Sequence, residues 1–326
     1  MSDSIGTDQK DSMSNANTTQ TVAGGPAGQG QSVRVVEVGP RDGLQNERVA
    51  VPTHAKVEMI ERLVEAGVRD VEIGSFVHPK WVPQMADTAE VARRIRREPG
   101  VRYWALVPNM RGLDFARSAS LEHIAVFMSS SETHNRKNLN RTISESLATV
   151  TQVIKEATGS GMEVRGYIST VFGCPYEGDV PFDRVLEIGS GLLEAGATQI
   201  SLGDTTGMGT PLQVREGCGR AVETFGPDHV ALHLHDTRGL GLVNALQGLE
   251  AGMRIFDSSM GGMGGCPYAP GAAGNLGTED LLYMLNSLGY HTGIDLDRVV
   301  AISRDLELEH GATLSSKYFR YAGARL

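Results

Sequence analysis

The sequence lacks long apolar runs, paired cysteines and an excess of positive charge, and each absence excludes a class of protein. No stretch approaches the ~20 consecutive apolar residues of a membrane-spanning helix, so we expect no membrane partner. The chain has 30 Lys and Arg residues against 39 Asp and Glu residues, a formal net charge of -9. This balance disfavours a protein that coats nucleic-acid phosphates, so we expect no nucleic-acid partner.

Cysteine is scarce, and its spacing indicates a reducing environment. The 326 residues include Cys174, Cys218 and Cys266, an odd number at wide spacing with no CxxC pair, which argues against a disulfide framework. Residues 1–32 contain one Lys and no Arg, and they lack the apolar core of a secretory signal. We therefore expect a disordered polar tail over residues 1–32 and a cytoplasmic location.

From residue 33 onward, short apolar and β-branched runs alternate with stretches of helical periodicity, which predicts a parallel sheet covered by helices. The helix predicted over 53–66 has an apolar stripe, and the helix over 210–225 opens with Thr210 as N-cap and Pro211 at the first helical position. The predicted strands are 33–38, 68–73, 101–107, 123–128, 163–170, 198–202, 229–234 and 253–257.

A recurring Glu-Ala-Gly supports a repeated unit, since it ends three helical stretches just before a strand, with the glycines at Gly67, Gly196 and Gly252. Eight strands over residues 33–288 match the typical size of a (β/α)8 barrel better than a doubly wound sheet. We therefore predict an α/β fold, a TIM barrel over 33–288. Residues 289–326, with a helix over 297–308, form a short C-terminal helical extension packed on it.

The predicted strands end in polar residues. Arg41 and Asp42 follow the first strand, Glu72 ends the second, and Asp204 and Thr205 follow the sixth. Because barrel enzymes concentrate their chemistry at the carboxyl ends of the strands, we expect these side chains at one mouth. A surface turn with an ion pair is the alternative for Arg41 and Asp42.

The seventh strand ends in His233 and His235, whose two-residue spacing puts both imidazoles on one face. Asp42 and Asn275, from the loop after the eighth strand, add oxygen donors at the same mouth. Mixed nitrogen and oxygen ligands without thiolate suit Mg²⁺ or Mn²⁺, and less firmly Zn²⁺ or Fe²⁺. Core or surface histidines are the alternative.

The loop after the eighth strand has six glycines in residues 261–275, too many for a helix or strand interior, and suits a segment that closes over a ligand. Cys266 lies at its centre as a buried thiol or a proton donor. Cys174 is a rival, because GCPY occurs at both cysteines, and spacing does not choose between them. Cys218 falls in a predicted helix and is expected in the core.

Six longer motifs include most of these residues. They are VEVGPRDGLQNE at 36–47, SFVHPKWVPQMAD at 75–87, GCPYEG at 173–178, ISLGDTTGMGTP at 200–211, HLHDTRG at 233–239 and GGCPYAPGAAGNLGTEDLLYML at 264–285. Taken together, these motifs resemble 3-hydroxy-3-methylglutaryl-CoA lyase of the DRE-TIM metallolyase superfamily. The resemblance covers about residues 33–288.

The resemblance implies divalent-metal-dependent cleavage of 3-hydroxy-3-methylglutaryl-CoA to acetyl-CoA and acetoacetate, a carbon–carbon lyase reaction with Mg²⁺ or Mn²⁺. It implies a metal site formed by Asp42, His233, His235 and Asn275. It also implies that Arg41 is the cation beside the enolate oxygen and that Cys266 is the general acid. Glu72 would be a positioning carboxylate, and Asp204 and Thr205 would contact the substrate. Asp42, His233 or water are the alternatives for the base, and resemblance also suggests a homodimer.

The chain departs from the family pattern where animal enzymes hold coenzyme A, before Lys317. Lys80 and Lys317 are the candidate phosphate contacts, and solvated surface lysines are the alternative. His78 and Arg238 also differ, which leaves open a homologous 3-hydroxy-3-alkylglutaryl-CoA as substrate. An acetyl-CoA-dependent Claisen synthase of the isopropylmalate type is disfavoured, because such chains carry a longer C-terminal region and lack the cysteine loop. An aldolase on 4-hydroxy-2-oxoacids and a non-catalytic barrel are further alternatives.

Overall fold

The predicted strands close into one parallel barrel. This computed structural model describes residues 30–45, 47, 49–266 and 269–323, without the side chains of 266 and 269–273. Each strand pairs with its sequence neighbours, and the first pairs with the eighth. The strands are β1 (Arg34–Glu37), β2 (Asp70–Ser75), β3 (Arg102–Leu106), β4 (His123–Ser129), β5 (Glu163–Ser169), β6 (Gln199–Asp204), β7 (Val230–Leu234) and β8 (Ile255–Ser258). The predicted TIM barrel is therefore confirmed.

Helices follow the strands and cover the outside of the barrel. They are α1 (Thr53–Glu65), α2 (Thr88–Arg94), α3 (Met110–Ser118), α4 (Glu132–Leu139), α5 (Ile143–Gly159), α6 (Phe182–Glu194), α7 (Pro211–Phe225), α8 (Gly241–Glu250), α9 (Thr278–Ser287), α10 (Leu296–His310) and α11 (Lys317–Gly323). Within the described ranges, no helix has the length and apolar character to span a bilayer. The helix predicted over 297–308 is confirmed as part of α10.

The Glu-Ala-Gly repeat ends helices as predicted. Gly67, Gly196 and Gly252 follow α1, α6 and α8 with φ of 105°, 115° and 101°. This left-handed backbone is cheap only for glycine, so the repeat stops each helix and turns the chain towards the next strand.

The C-terminal segment contacts the barrel's helices. Arg62 of α1 donates to Asp305 of α10 at 2.6 Å, and Ser303 of α10 donates to Glu279 at the start of α9 at 2.5 Å. Of the tail predicted over 1–32, residues 1–29 lie outside the described residues. Ser32 pairs with His291, beyond α9, in an isolated bridge. The division into tail, barrel and extension stays a prediction.

The glycine-rich segment differs from its prediction. Its backbone forms a small antiparallel hairpin of β9 (Gly265–Cys266) and β10 (Ala269–Ala273), so the expectation that it contains no strand is wrong. The register shifts between Ala269 and Ala273. Glycine weakens a strand through entropy but does not forbid backbone pairing, and an isolated, irregular ribbon is compatible with that composition.

Candidate metal and active site at the barrel mouth

A tight turn presents Arg41 and Asp42 over the mouth. After β1, residues Gly39–Gly43 form one π-helical turn in which the carbonyl of Val38 accepts amide hydrogen bonds from Arg41 at 3.1 Å and Asp42 at 2.7 Å. A Cβ on Gly39 would lie 2.6 Å from a carboxylate oxygen of Glu37. The turn therefore needs glycine there, because the backbone passes directly over a buried side chain.

Asp42, His233 and His235 bring their ligand atoms together. One potential ligand atom from each of the three lies within 4.8 Å of the others. The Nε2 of His233 lies 3.3 Å from the Nε2 of His235 and 3.7 Å from Oδ2 of Asp42. Both rings are buried. The close approach of their Nε2 atoms agrees with the prediction, from the two-residue spacing, that the rings share one face.

Asn275 completes the donor set. Its Nδ2 donates to Oδ2 of Asp42 at 3.0 Å and to the carbonyl of Met263 at 3.2 Å. Its Oδ1 is buried and has no hydrogen-bond partner among the described residues, although buried acceptors are normally paired. Asn275 pairs with His235 in a backbone bridge, which keeps it at the end of β7. Asn275 therefore adds an amide with an unpaired oxygen beside the carboxylate of Asp42. Amide and carboxylate oxygens together with imidazole nitrogens are a donor set that fits a divalent cation.

The site's charges keep Asp42 ionised and His235 neutral. Burial alone would raise the pKa of Asp42, but Arg41 and the two imidazoles outweigh burial and lower this pKa to about 2. Burial, assisted by His233, lowers the pKa of His235 to about 3. A carboxylate and a neutral imidazole are the protonation states that metal binding needs.

Arg41 is fixed by two carboxylates and an aromatic ring. Its guanidinium donates to Asp42 at 2.5 Å and to Glu72 at 2.7 Å, and it lies 5.6 Å from the ring centre of Tyr167. Burial alone would lower the pKa of Arg41, but Asp42 and Glu72 reverse that effect and raise it. Glu72 thus contacts Arg41 as the sequence suggests, while its catalytic role stays a prediction.

Asp42, His233 and His235 are called the metal cluster below, after the metal they are proposed to bind. A second layer of polar groups lies beneath it, and sequence reasoning missed this layer. Asp257 of β8 accepts from Arg165 at 2.8 Å and from Ser201 at 2.9 Å, and its Oδ2 lies 3.3 Å from Nδ1 of His233. Tyr167 packs edge-on against His233 at 5.8 Å. The available signal was Arg165, a charged residue between Val164 and Gly166 inside a predicted strand, two positions before Tyr167.

Asp204 and Thr205 interact with loop backbone. Asp204 is buried and accepts from the amides of Met208 at 2.9 Å and Gly209 at 3.1 Å, and burial raises its pKa to about 6. The hydroxyl of Thr205 accepts from the amide of Thr170 at 3.3 Å. These contacts shape the loop after β6, and the substrate contacts of both residues stay predictions.

The two candidate lysines lie in different settings. Lys80 is exposed after β2. Lys317, at the start of α11, donates to Asp236 at 2.9 Å, and Asp236 directly follows the metal candidate His235. The structure therefore brings Lys317 to the barrel mouth, whereas none of the described contacts brings Lys80 to the metal cluster.

The three cysteines occupy distinct environments. Cys174 is a buried free thiol whose sulfur accepts from the hydroxyl of Ser131 at 2.9 Å. Cys218 is buried in α7 as expected, and burial raises its pKa. The backbone of Cys266 belongs to β9, while its side chain lies outside the described residues. The hairpin joins the mouth through Gly274, whose carbonyl accepts from the amide of Asp236 at 2.7 Å.

Comparisons with known proteins agree with this geometry. The HMGL-like family model matches residues 32–306. Hydroxymethylglutaryl-CoA lyase YngG of Bacillus subtilis (strain 168) is 46% identical over 287 residues, which cover 88% of this chain and 96% of that protein.

Solved structures give the same result. The Bacillus subtilis HMG-CoA lyase superposes with a TM-score of 0.88 at 45% identity, covering 91% of this chain and 100% of that chain. An HMG-CoA lyase from Acinetobacter baumannii, in complex with coenzyme A and 3-methylmalate, gives a TM-score of 0.84 at 40% identity, covering 88% and 93%. The chain therefore belongs to the HMGL-like family, among the HMG-CoA lyases, which are enzymes that cleave carbon–carbon bonds.

Proposed function

We propose that this protein cleaves 3-hydroxy-3-methylglutaryl-CoA to acetyl-CoA and acetoacetate with a divalent cation, Mg²⁺ or Mn²⁺. The observation that carries the proposal is the cluster of Asp42, His233 and His235, with ligand atoms within 4.8 Å of one another and Arg41 beside it. The relative bound to coenzyme A and 3-methylmalate supports an acyl-CoA substrate for this barrel mouth.

The candidate residues match the demands of the reaction. Asp42, His233, His235 and Asn275 would hold the cation, which when bound lowers the cost of negative charge on the substrate's tertiary hydroxyl oxygen. A base, for which Asp42, His233 and water are the candidates, takes the hydroxyl proton. The carbon–carbon bond then breaks, acetoacetate leaves, and the bonding electrons pass to the thioester enolate.

The enolate needs a positive neighbour and a proton. Arg41 stays protonated and is already fixed by Asp42 and Glu72, so it supplies charge without reorganising during the reaction. Cys266 would donate its thiol proton to the enolate carbon, which yields acetyl-CoA, and the proton taken by the base returns to the thiolate. Glu72 acts through Arg41 as a positioning residue.

Coenzyme A must be held by groups at the same mouth. Lys317, anchored through Asp236 next to His235, and the exposed Lys80 are the proposed phosphate contacts. Asp204 and Thr205, on the loop after β6, are the proposed lining of the acyl pocket.

The cellular setting is part of the same proposal. A cytoplasmic location agrees with the buried free thiols of Cys174 and Cys218, and a homodimer is expected from the family resemblance. The products would connect the enzyme to leucine degradation and ketone body formation.

The test uses purified, chelator-stripped protein. It is supplied with Mg²⁺ or Mn²⁺ and a panel of 3-hydroxyglutaryl-CoAs with different alkyl groups at C3, and release of acetyl-CoA is followed. We expect cation-dependent cleavage with the highest kcat/KM for the 3-methyl compound. A higher kcat/KM for a longer alkyl group would assign the homologous substrate, and cleavage unaffected by chelation would contradict the metal-dependent reaction.

A further inference from the structure

The two imidazoles of the metal cluster are not held alike. Nδ1 of His233 lies 3.3 Å from Oδ2 of Asp257. Nδ1 of His235 is buried and has no hydrogen-bond partner among the described residues. The protein therefore fixes the ring of His233 from behind, on the side away from Asp42.

Asp257 is itself rigidly placed. It is fully buried on β8, and its Oδ1 accepts from Arg165 of β5 at 2.8 Å. Since β5 and β8 are not neighbours in the sheet, this ion pair crosses the barrel interior. Oδ2 also accepts from Ser201 of β6 at 2.9 Å, and the Arg165 guanidinium lies 4.8 Å from the ring centre of Tyr167.

These contacts determine which ring nitrogen of His233 carries the proton. A carboxylate paired with arginine only accepts hydrogen bonds, so Nδ1 of His233 must be the donor. A neutral imidazole has one N–H, which leaves a lone pair on Nε2. That atom lies 3.7 Å from Oδ2 of Asp42 and 3.3 Å from Nε2 of His235, on the cluster side of the ring.

We propose that Asp257 is a positioning residue that fixes the tautomer and orientation of His233, so that its Nε2 lone pair faces the cation site before any cation binds. This inference rests on the metal site of the proposed function. A carboxylate behind a metal-binding imidazole orients the ring and raises its basicity, and its loss typically weakens metal affinity 10- to 100-fold.

The barrel provides a matched control in Asp70. This residue is also fully buried on a strand and also paired with arginine, accepting from Arg102 at 2.7 Å and from Trp104 at 3.1 Å. Its contacts among the described residues include neither His233 nor His235. If both carboxylates had a purely structural role, Asp70→Asn and Asp257→Asn would have the same effect on Mn²⁺ affinity.

The first experiment needs no variant. ¹⁵N NMR of metal-free wild-type protein, with His233 assigned and spectra taken across pH, reports which nitrogen carries the proton in the neutral ring. We expect the proton on Nδ1. A proton on Nε2, or a mixture of both tautomers, would overturn the proposal even if the protein binds metal normally.

The second experiment measures Mn²⁺ binding by electron paramagnetic resonance. We expect Asp257→Asn to bind Mn²⁺ about 10- to 100-fold more weakly than wild type, and Asp70→Asn to match wild type. Wild-type affinity in Asp257→Asn, or equal weakening in both variants, would contradict the proposal. If Asp257→Asn does not fold, the tautomer measurement decides. Failure of wild type to bind Mn²⁺ would instead contradict the proposed function.

Discussion

At the scale of single residues, Asp42 links the two charged parts of the site. Its Oδ1 accepts from Arg41 at 2.5 Å, while its Oδ2 accepts from Asn275 at 3.0 Å and faces His233. One carboxylate thus contacts both the guanidinium and the side chains that are proposed to bind the cation. Because its pKa is lowered to about 2, Asp42 stays ionised at physiological pH.

The proposed proton donor, Cys266, is the first testable residue. We expect Cys266→Ala to lower kcat on the order of 10²-fold, the contribution of a general acid, while Mn²⁺ affinity stays near wild type. Cys174→Ala is the control, because Cys174 is buried against Ser131. Steady-state kinetics with the 3-methyl substrate measure both variants. An equal loss of kcat in Cys174→Ala, or no loss in Cys266→Ala, would assign the proton transfer elsewhere.

At the scale of elements, the same Glu-Ala-Gly stop has different surroundings at different places. Gly67 and Gly252 have nearly equal φ, 105° and 101°. A Cβ on Gly67 would lie 2.1 Å from the backbone carbonyl oxygen of Gly293, whereas a Cβ on Gly252 would lie 3.3 Å from the side chain of Val222. A side chain at either glycine would therefore strain the backbone, but only a side chain at Gly67 would also clash with a backbone atom.

This difference predicts that alanine destabilises the protein more at Gly67 than at Gly252. Gly252→Ala should reduce the free energy of unfolding by about 1–3 kcal/mol, the cost of a strained backbone conformation. Gly67→Ala should cost clearly more, because a backbone carbonyl cannot move aside as a side chain can. Urea unfolding of both variants at one pH provides the comparison. Equal losses would show that the segment around Gly293 yields easily.

The positions of the elements follow from local patterns in the sequence. Apolar, β-branched runs predicted all eight strands, and Thr210 caps α7 as expected, with its hydroxyl accepting from the amide of Gln213. The hairpin of β9 and β10 was missed, because its pairing comes from backbone hydrogen bonds in a segment whose composition opposes a strand. Local composition says little about such pairing.

At the scale of the whole molecule, buried carboxyl groups connect the barrel to its C-terminal helices. Glu279 accepts from the amide of Gly261 at 2.8 Å and from Ser303 of α10. Glu37 of β1 accepts from Met260 at 2.9 Å. Burial raises the pKa of Glu279 to about 8 and that of Glu37 to about 7.

These raised pKa values predict how stability changes with pH. A carboxyl with a higher pKa when folded than when unfolded binds its proton more tightly in the folded state. The contribution of Glu279 to the free energy of unfolding is therefore full below about pH 4 and is lost as the pH rises to about 8. We therefore expect the free energy of unfolding to change less between pH 5 and 8 in Glu279→Gln than in wild type. The two changes should differ by up to a few kcal/mol.

Urea unfolding at several pH values tests this expectation against wild type and Glu90→Gln, an exposed control on α2. The comparison cancels the contributions of Asp42 and His235, which are common to all three proteins. The same slope in Glu279→Gln and wild type would show that Glu279 does not titrate in this range.

The contacts that sequence reasoning missed are those that depend on closure of the barrel. Arg165 and Asp257 are 92 residues apart, and Lys317 and Asp236 are 81 apart. Only the closed sheet decides which side chains face each other across the interior. The convergence of Asp42, His233 and His235 could be predicted because the carboxyl ends of all parallel strands meet at one mouth.

The most direct test of the cation site is a Mn²⁺ titration of chelator-stripped wild type and His235→Ala. In wild type, Nε2 of His235 lies 3.3 Å from Nε2 of His233. Electron paramagnetic resonance of free Mn²⁺ gives stoichiometry and affinity. We expect one Mn²⁺ per chain in wild type and an affinity at least about 10-fold weaker in His235→Ala. Undiminished binding by His235→Ala, or no binding by wild type, would contradict a cation held between these imidazoles and Asp42.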